Sequence, residues 1–226
     1  VMFGMLRSLG IAPGTPFNPD ARQARILTDA AKLGELMART IAYDKRYAGA
    51  TVYPSKRWEY AVLFDLDQEA PDKTRVQFDE RSSWFYEAIG MSVGMQGRIV
   101  GFGQVYLETS RDRDGNWLDG GKTYRLRVDP NPPVRQFWSI TLYDNVTRGP
   151  LDTPQGAADL SSRNPDLVKN ADGSVDVYFG PERPANAANW IRTMPGQGWF
   201  PYFRFYAATE AYFDKSWQLN DIELVK

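Results

Sequence analysis

Residues 199–206 read WFPYFRFY and form the densest aromatic stretch of the chain. Within this stretch Tyr202 and Arg204 alternate with Phe203 and Phe205. A period of two between apolar and polar residues is typical of a β-strand with one apolar face and one polar face. The stretch therefore predicts a strand whose phenylalanines face a core.

Further short aromatic or β-branched runs precede this strand. Turn residues such as Asp-Gly and Pro-Gly pairs bound them, and no helical pattern separates one run from the next. The sequence therefore predicts a mainly β fold, an antiparallel jelly-roll-like sandwich that is preceded by a helical segment. The runs lie at residues 98–108, 122–128, 136–143 and 174–179, with an earlier strand candidate at 58–66.

The N-terminal part of the chain has a helical pattern. Asn18 is the predicted N-cap of a long helix and Pro19 its first residue. Apolar residues at helical spacing predict an amphipathic helix that packs on its own domain, with a partner surface as the alternative. A second helix is predicted over 79–90. We predict a helical lead-in with some irregular or strand structure over 1–95 and the sandwich over 96–226. The stripe of the long helix comprises Ile26, Ala30, Leu33, Met37 and Ile41.

Composition excludes several classes of protein. The 226 residues include 27 Lys plus Arg, 28 Asp plus Glu, no histidine and no cysteine. Disulfide frameworks, thiolate nucleophiles, zinc ribbons and serine–histidine triads are therefore excluded, and no cofactor motif is present. A net charge of −1 does not attract nucleic acid, and no apolar stretch is long enough to cross a bilayer. The first residues show no signal peptide, and a chain that begins with valine fits a cleaved or mature product.

The segment from residue 112 to residue 119 resembles a calcium loop because oxygen-bearing side chains occur at alternate positions. An EF-hand loop requires glycine at its sixth position and glutamate at its twelfth, where this chain has Trp117 and Thr123. A polar hairpin tip is therefore the favoured interpretation, and no metal is expected. The ligands of the calcium alternative would be Asp112, Asp114, Asn116 and Asp119.

Aromatic and arginine side chains near the C-terminus are candidates for ligand binding. Rings and guanidinium groups on the outside of a sandwich would form a stacking platform for sugars or other planar ligands. Burial of the same rings in the sandwich core is the commoner outcome. The candidate binding residues are Trp190, Arg192, Trp199, Tyr202 and Arg204.

A hydrolase remains an alternative because glycoside hydrolysis needs only two carboxylates, about 5 to 9.5 Å apart. Spacing along the sequence cannot select such a pair, since its members can come from distant strands. For each candidate, a surface charge or a turn cap is the favoured interpretation. The candidates that lie beside aromatic residues are Glu87, Glu108, Asp144, Asp176, Glu210 and Asp214.

Five separated motifs resemble the C-terminal half of the bacterial family known as domains of unknown function 1254 and 1214. The resemblance is strong over about residues 100–226. One departure is Gln197, where the family leads us to expect a basic residue, and this weakens any anion-binding role for that loop. The motifs are FWSITLYD at 137–144, LVKNADGSVD at 167–176, Asn189-Trp190, FRFY at 203–206 and KSWQLNDIE at 215–223.

The resemblance implies an N-terminal β domain, then a helical part and a jelly-roll-like sandwich. This chain lacks the N-terminal domain, so we expect either a truncated or cleaved product or a shorter relative. It also implies an exported, envelope-associated bacterial protein, although the absence of cysteine suits periplasm and cytoplasm alike. It implies no established catalytic activity. We therefore expect a non-catalytic module that binds a glycan or an envelope component or acts in assembly. The alternatives are a carboxylate-dependent hydrolase acting on carbohydrate and a structural oligomer, and association with the missing domain is a further expectation.

Overall fold

The computed structural model describes residues 2–63, 69–70, 72–88, 90, 92–96 and 98–225. In these residues the helices are α1 (Met2–Ser8), α2 (Ala21–Tyr43), α3 (Phe78–Glu87), α4 (Val93–Gln96) and α5 (Glu210–Phe213). The strands are β1 (Glu59–Tyr60), β2 (Gln104–Glu108), β3 (Tyr124–Val128), β4 (Trp138–Asp144), β5 (Asp159–Ser161), β6 (Val175–Gly180), β7 (Asn189–Arg192), β8 (Trp199–Tyr206) and β9 (Glu223–Leu224).

The strands form two sheets. One has the order β1-β2-β8-β4-β5 and the other β7-β6-β3-β9. Neighbouring strands are antiparallel except for β6 and β7, which are parallel. The predicted mainly β fold with a helical segment at its N-terminus is confirmed. The finer jelly-roll assignment stays a prediction.

The central strand β8 shows the predicted alternation. Phe203 and Phe205 are fully buried, and Arg204 between them is partly exposed. Phe203 stacks on Trp138 of β4 with 5.4 Å between the ring centroids. Tyr202 on the other face is buried as well, because helices cover the outer side of this sheet.

The core between the two sheets includes residues from the predicted lead-in. Tyr53 and Trp58 are fully buried in it, and the indole N–H of Trp58 donates to the carbonyl of Asn220 at 2.8 Å. Strand β1 follows them and pairs with β2 at the edge of the five-stranded sheet. The lead-in therefore supplies part of the sandwich, and the division into 1–95 and 96–226 stays a prediction.

Helix α2 begins two residues later than predicted. Asp20 is its N-cap, and the carboxylate of Asp20 accepts the backbone N–H of Gln23 at 2.7 Å. The prediction of Asn18 as the cap was wrong because Asp20 satisfies the free amides of the first turn.

The predicted packing of the α2 stripe on its own domain was also wrong over most of the helix. Ile26, Leu33 and Met37 are 46%, 58% and 55% exposed. Only the last turn is buried, where Tyr43 contacts Phe200 with 5.7 Å between ring centroids. Helical periodicity specifies an apolar face but does not specify what covers it.

The second predicted helix and the early strand are shorter than expected. Helix α3 ends at Glu87 because Ala88 is extended, and the predicted residue Ile89 lies outside the described residues. The strand predicted over 58–66 is observed only as β1, and its residues 64–66 lie outside the described residues. Among the described helices, none combines the length and apolar character that a membrane span requires.

Candidate functional site

A cleft of about 610 Å³ opens between the last turns of α2 and the connection from β2 to β3. This volume lies in the range of about 300–1,000 Å³ that is usual for small-molecule sites. The side of the cleft formed by α2 includes Arg39 and Tyr43, and the opposite side includes Arg111 and Trp117. Trp199, at the start of β8, also lines it.

The position of Trp117 follows from the local fold of the hairpin. The backbone N–H of Gly115 donates to the carbonyl of Asp112 at 2.9 Å, and Arg111 pairs with Trp117 across the turn. Trp117 is consequently 51% exposed, and the Arg111 guanidinium lies 3.7 Å from the centroid of its ring. This distance is typical of a cation–π contact, which holds the indole in a fixed orientation.

The same hairpin contains the predicted calcium alternative. The buried carboxylate of Asp112 accepts the backbone N–H of Asn116 at 2.9 Å, and that of Asp119 accepts the N–H of Gly121 at 2.9 Å. Asp114 lies 4.0 Å from Arg113. No group of three or more acidic residues that could hold a metal ion occurs in the part of the chain that the structure describes. The arrangement is that of a polar hairpin tip.

Trp199 belongs to both the core and the cleft. Its ring packs against Tyr124 and Phe179 of the opposite sheet, with centroid separations of 5.8 and 5.1 Å. Its indole N–H is buried and has no hydrogen-bond partner within the described structure. An unsatisfied buried donor costs about 1–3 kcal/mol of folding free energy.

The α2 side of the cleft is fixed to the sandwich by polar contacts. The Tyr43 hydroxyl donates to the carbonyl of Asn145 at 2.8 Å. Burial, followed by the charge of Glu87, raises the pKa of Tyr43, so this hydroxyl keeps its proton. Asp44, the next residue, accepts two hydrogen bonds from the guanidinium of Arg46, at 2.8 and 2.5 Å.

A smaller polar pocket of about 180 Å³ adjoins the cleft, and Tyr43, Asp44 and Arg111 line both. Glu59 of β1 also lines this pocket. Burial is the main cause that raises the pKa of Glu59, and Lys45 opposes the shift. The polar pocket therefore contains two carboxyl groups, of which Glu59 holds its proton more tightly than an exposed glutamate does.

A buried ion cluster lies next to the polar pocket. The ammonium group of Lys45 contacts Glu108 and lies 3.4 Å from a carboxylate oxygen of Glu87. The Tyr202 hydroxyl donates to the other oxygen of Glu87 at 2.5 Å. Burial raises the pKa of Glu87 and that of Tyr202. The cluster ties the end of α2 to α3 and to β2 and β8.

The predicted binding residues occupy three places. Trp190 and Arg192 lie on β7, the edge strand, where the indole N–H of Trp190 donates to the carbonyl of Gly180 at 3.1 Å. Arg204 and Tyr202 lie on the outer face of β8, where Arg204 is 5.3 Å from the Tyr202 ring. Trp199 alone among the five lines the cleft.

Of the predicted carboxylate candidates, the structure brings together Glu87 and Glu108, around Lys45. Their side chains are only 1% and 6% exposed. Asp144 and Asp214 accept backbone N–H groups in turns, and Asp176 accepts the amide of Asn170. Glu210 lies in the first turn of α5.

Sequence reasoning missed Arg111, Trp117 and Glu59 as members of the site. A signal existed for Trp117, because a large ring beside the Asp-Gly-Asn turn of a short hairpin has little chance of burial. Glu59 and Arg111 gave no comparable signal, since their position depends on how β1 and β2 pair.

The C-terminal part of the chain matches a known family of proteins. Residues 103–210 match the family model described as "Protein of unknown function (DUF1214)", which confirms the DUF1214 resemblance predicted for this region. No curated protein matches the chain.

The fold is similar to that in the crystal structure of the VPA0106 protein from Vibrio parahaemolyticus. The two are 21% identical with a TM-score of 0.52, and the match covers 99% of this chain and 50% of that one. The chain therefore spans about half the length of that protein. A crystal structure of an uncharacterized protein from Burkholderia cenocepacia matches with 18% identity and a TM-score of 0.45, over 66% of this chain and 41% of that one.

Proposed function

We propose that this chain, which carries the DUF1214 match over residues 103–210, is a non-catalytic module that binds a glycan in the cleft. The observation that carries the proposal is the exposed indole of Trp117, held by Arg111 at the side of a cavity of about 610 Å³. Sugar rings have apolar faces that pack on aromatic side chains, and their hydroxyls need hydrogen-bond partners. The guanidinium of Arg39, which is exposed on the α2 side of the cleft, is suited to be one of these partners.

The cleft is suited to binding because its α2 side is attached to the sandwich. The Tyr43 hydrogen bond to Asn145 fixes the end of α2, and the buried Lys45 cluster fixes the residues that follow. A preorganised site spends less free energy on ordering its side chains when the ligand binds.

Isothermal titration with a panel of neutral and acidic oligosaccharides tests the proposal. We expect Trp117→Ala to weaken binding at least about tenfold, since the stacked ring supplies most of the apolar contact. Trp190→Ala is the matched control, because Trp190 is a partly exposed tryptophan outside the cleft, and it should bind as the wild type does. The proposal fails if no glycan binds, or if Trp190→Ala loses binding and Trp117→Ala retains it.

Hydrolysis of a glycosidic bond is a second candidate, favoured by the two carboxyl groups of the polar pocket. Glu59, with its raised pKa, would protonate the glycosidic oxygen as the C–O bond breaks. The carboxylate of Asp44 would take a proton from the water that attacks the anomeric carbon.

Release of reducing sugar measures this activity directly. If the protein is a hydrolase, the wild type should release reducing sugar. The Glu59→Gln variant should still bind the glycan but release no reducing sugar. If the wild type binds glycans but releases no reducing sugar from any of them, hydrolysis is contradicted and the proposal of a binding module is retained.

An envelope location and self-association belong to the same proposal. The family resemblance supports export, and the exposed apolar face of α2 outside the cleft, including Ile26, Leu33 and Met37, supports association with a second copy of the chain. Fractionation of the producing bacterium against periplasmic and cytoplasmic markers tests the location. Light scattering coupled to gel filtration tests association, and a monomer at all concentrations would contradict it.

A further inference from the structure

We infer that the cleft selects glycans that carry carboxylate groups, such as oligomers of uronic acids. The inference rests on the proposed function, because it names the ligand class of the same cleft. It starts from Arg39 on the α2 side and Arg111 on the hairpin side, which face one cavity.

Neither guanidinium forms an ion pair with a carboxylate of the described residues. Arg111 donates to the carbonyl of Gly115 at 3.0 Å and lies over the Trp117 ring, two partners that carry no negative charge. Arg39 is exposed on the last turns of α2. Two positive charges that form no ion pair with a carboxylate of the described residues are thus present on opposite sides of the cleft, in a chain whose net charge is −1.

The acidic residues of the same surface do not cancel this charge. Asp44 lines the cleft, but Arg46 binds its carboxylate through two hydrogen bonds. Glu59 lies in the adjoining polar pocket, where burial favours its neutral form. Lys56 and Arg57 also line that pocket. The cationic side chains of the two cavities therefore outnumber the carboxyl groups even when both carboxyl groups are ionised, although the molecule as a whole is nearly neutral.

Guanidinium groups recognise planar carboxylates through paired N–H donors, and such charge-assisted bonds are stronger than bonds to neutral oxygens. A uronic acid offers both features that the cleft requires. Its pyranose ring can stack on Trp117, and its carboxylate can accept from Arg39 or Arg111. A neutral sugar satisfies only the first requirement.

Titration with trigalacturonate and with its methyl ester tests the inference, because the two have the same rings and differ in charge. We expect the acid to bind at least about tenfold more tightly than the ester. Arg39→Gln should remove most of this difference, because it should weaken binding of the acid much more than binding of the ester. Arg22→Gln is the matched control, since Arg22 is an exposed arginine in the first turn of the same helix.

Raising the salt concentration should weaken binding of the acid and not that of the ester. Equal binding of acid and ester, or an Arg39→Gln variant that keeps the preference, would overturn the inference. The proposed function survives that result, because the ester or another neutral glycan still binds. If no glycan binds at all, both the inference and the proposed function fail.

Discussion

Three glutamates share the surroundings of one buried cation at the end of α2. Glu87 and Glu108 contact Lys45, and Glu59 faces Glu108 across the pairing of β1 and β2. Taking charges out of water is costly, and one ammonium cannot compensate three ionised carboxylates in such a place. Burial is the main cause that raises the pKa of Glu59 and that of Glu87, and the charge of Lys45 opposes both shifts.

Glu59→Gln should therefore change how stability depends on pH. The pKa of Glu59 is raised in the folded state, so its contribution to stability is complete below the pKa of the unfolded chain, about 4.3, and is lost as pH rises through the folded-state pKa. Glutamine does not ionise, so the melting temperature of the variant should rise relative to the wild type between pH 4 and pH 8.

Glu35→Gln is the control for this measurement because Glu35 is exposed on α2. Thermal unfolding of all three proteins at several pH values gives the comparison. A constant difference between Glu59→Gln and the wild type across this range would contradict the proposed burial of the Glu59 carboxyl group.

At the scale of elements, the sequence predicts which face of a strand is buried better than it predicts which elements pack on the apolar face of a helix. The alternation in WFPYFRFY correctly places Phe203 and Phe205 inside, because period two and burial on one face are a local property. The presence of α2 was predicted from another local property, the helical spacing of its apolar residues. Its exposed face and the cluster at its end were not, because they depend on contacts between elements far apart in sequence.

In the monomeric protein, Leu33→Lys should cost no more than about 0.5 kcal/mol of unfolding free energy, as is usual for exposed positions. Leu107→Ala, in the core strand β2, should cost about 2–5 kcal/mol because Leu107 is fully buried. Urea unfolding measures both. A cost above about 1 kcal/mol for Leu33→Lys, at concentrations at which light scattering shows a monomer, would contradict the exposure of Leu33 in the single chain.

At the scale of the whole molecule, the sandwich depends on residues before its predicted boundary at residue 96. A fragment 96–226 lacks β1 and the buried side chains of Tyr53 and Trp58. Loss of a buried tryptophan alone costs about 3–5 kcal/mol, so the fragment should be less stable than the chain by at least this amount. Chemical denaturation measures the difference, and a fragment of equal stability would support the division at residue 95.

The cleft itself could be predicted only in part. Trp199 was a candidate binding residue on its sequence, and the hairpin that carries Trp117 followed from its turn residues. The cleft exists because the last turns of α2 lie beside that hairpin, and no local pattern specifies this arrangement. The DUF1214 match covers the hairpin and Trp199 but not α2 or β1.

The most direct test of the binding cleft is a nuclear magnetic resonance titration that follows the indole N–H signals of the 7 tryptophans. Substitution of each tryptophan by phenylalanine assigns the signals. On addition of a bound oligosaccharide, we expect the signals of Trp117 and Trp199 to shift and those of Trp58 and Trp190 to stay in place. A shift of the Trp190 signal without a shift of the Trp117 signal, or no shift of any signal with any oligosaccharide, would contradict glycan binding in the cleft.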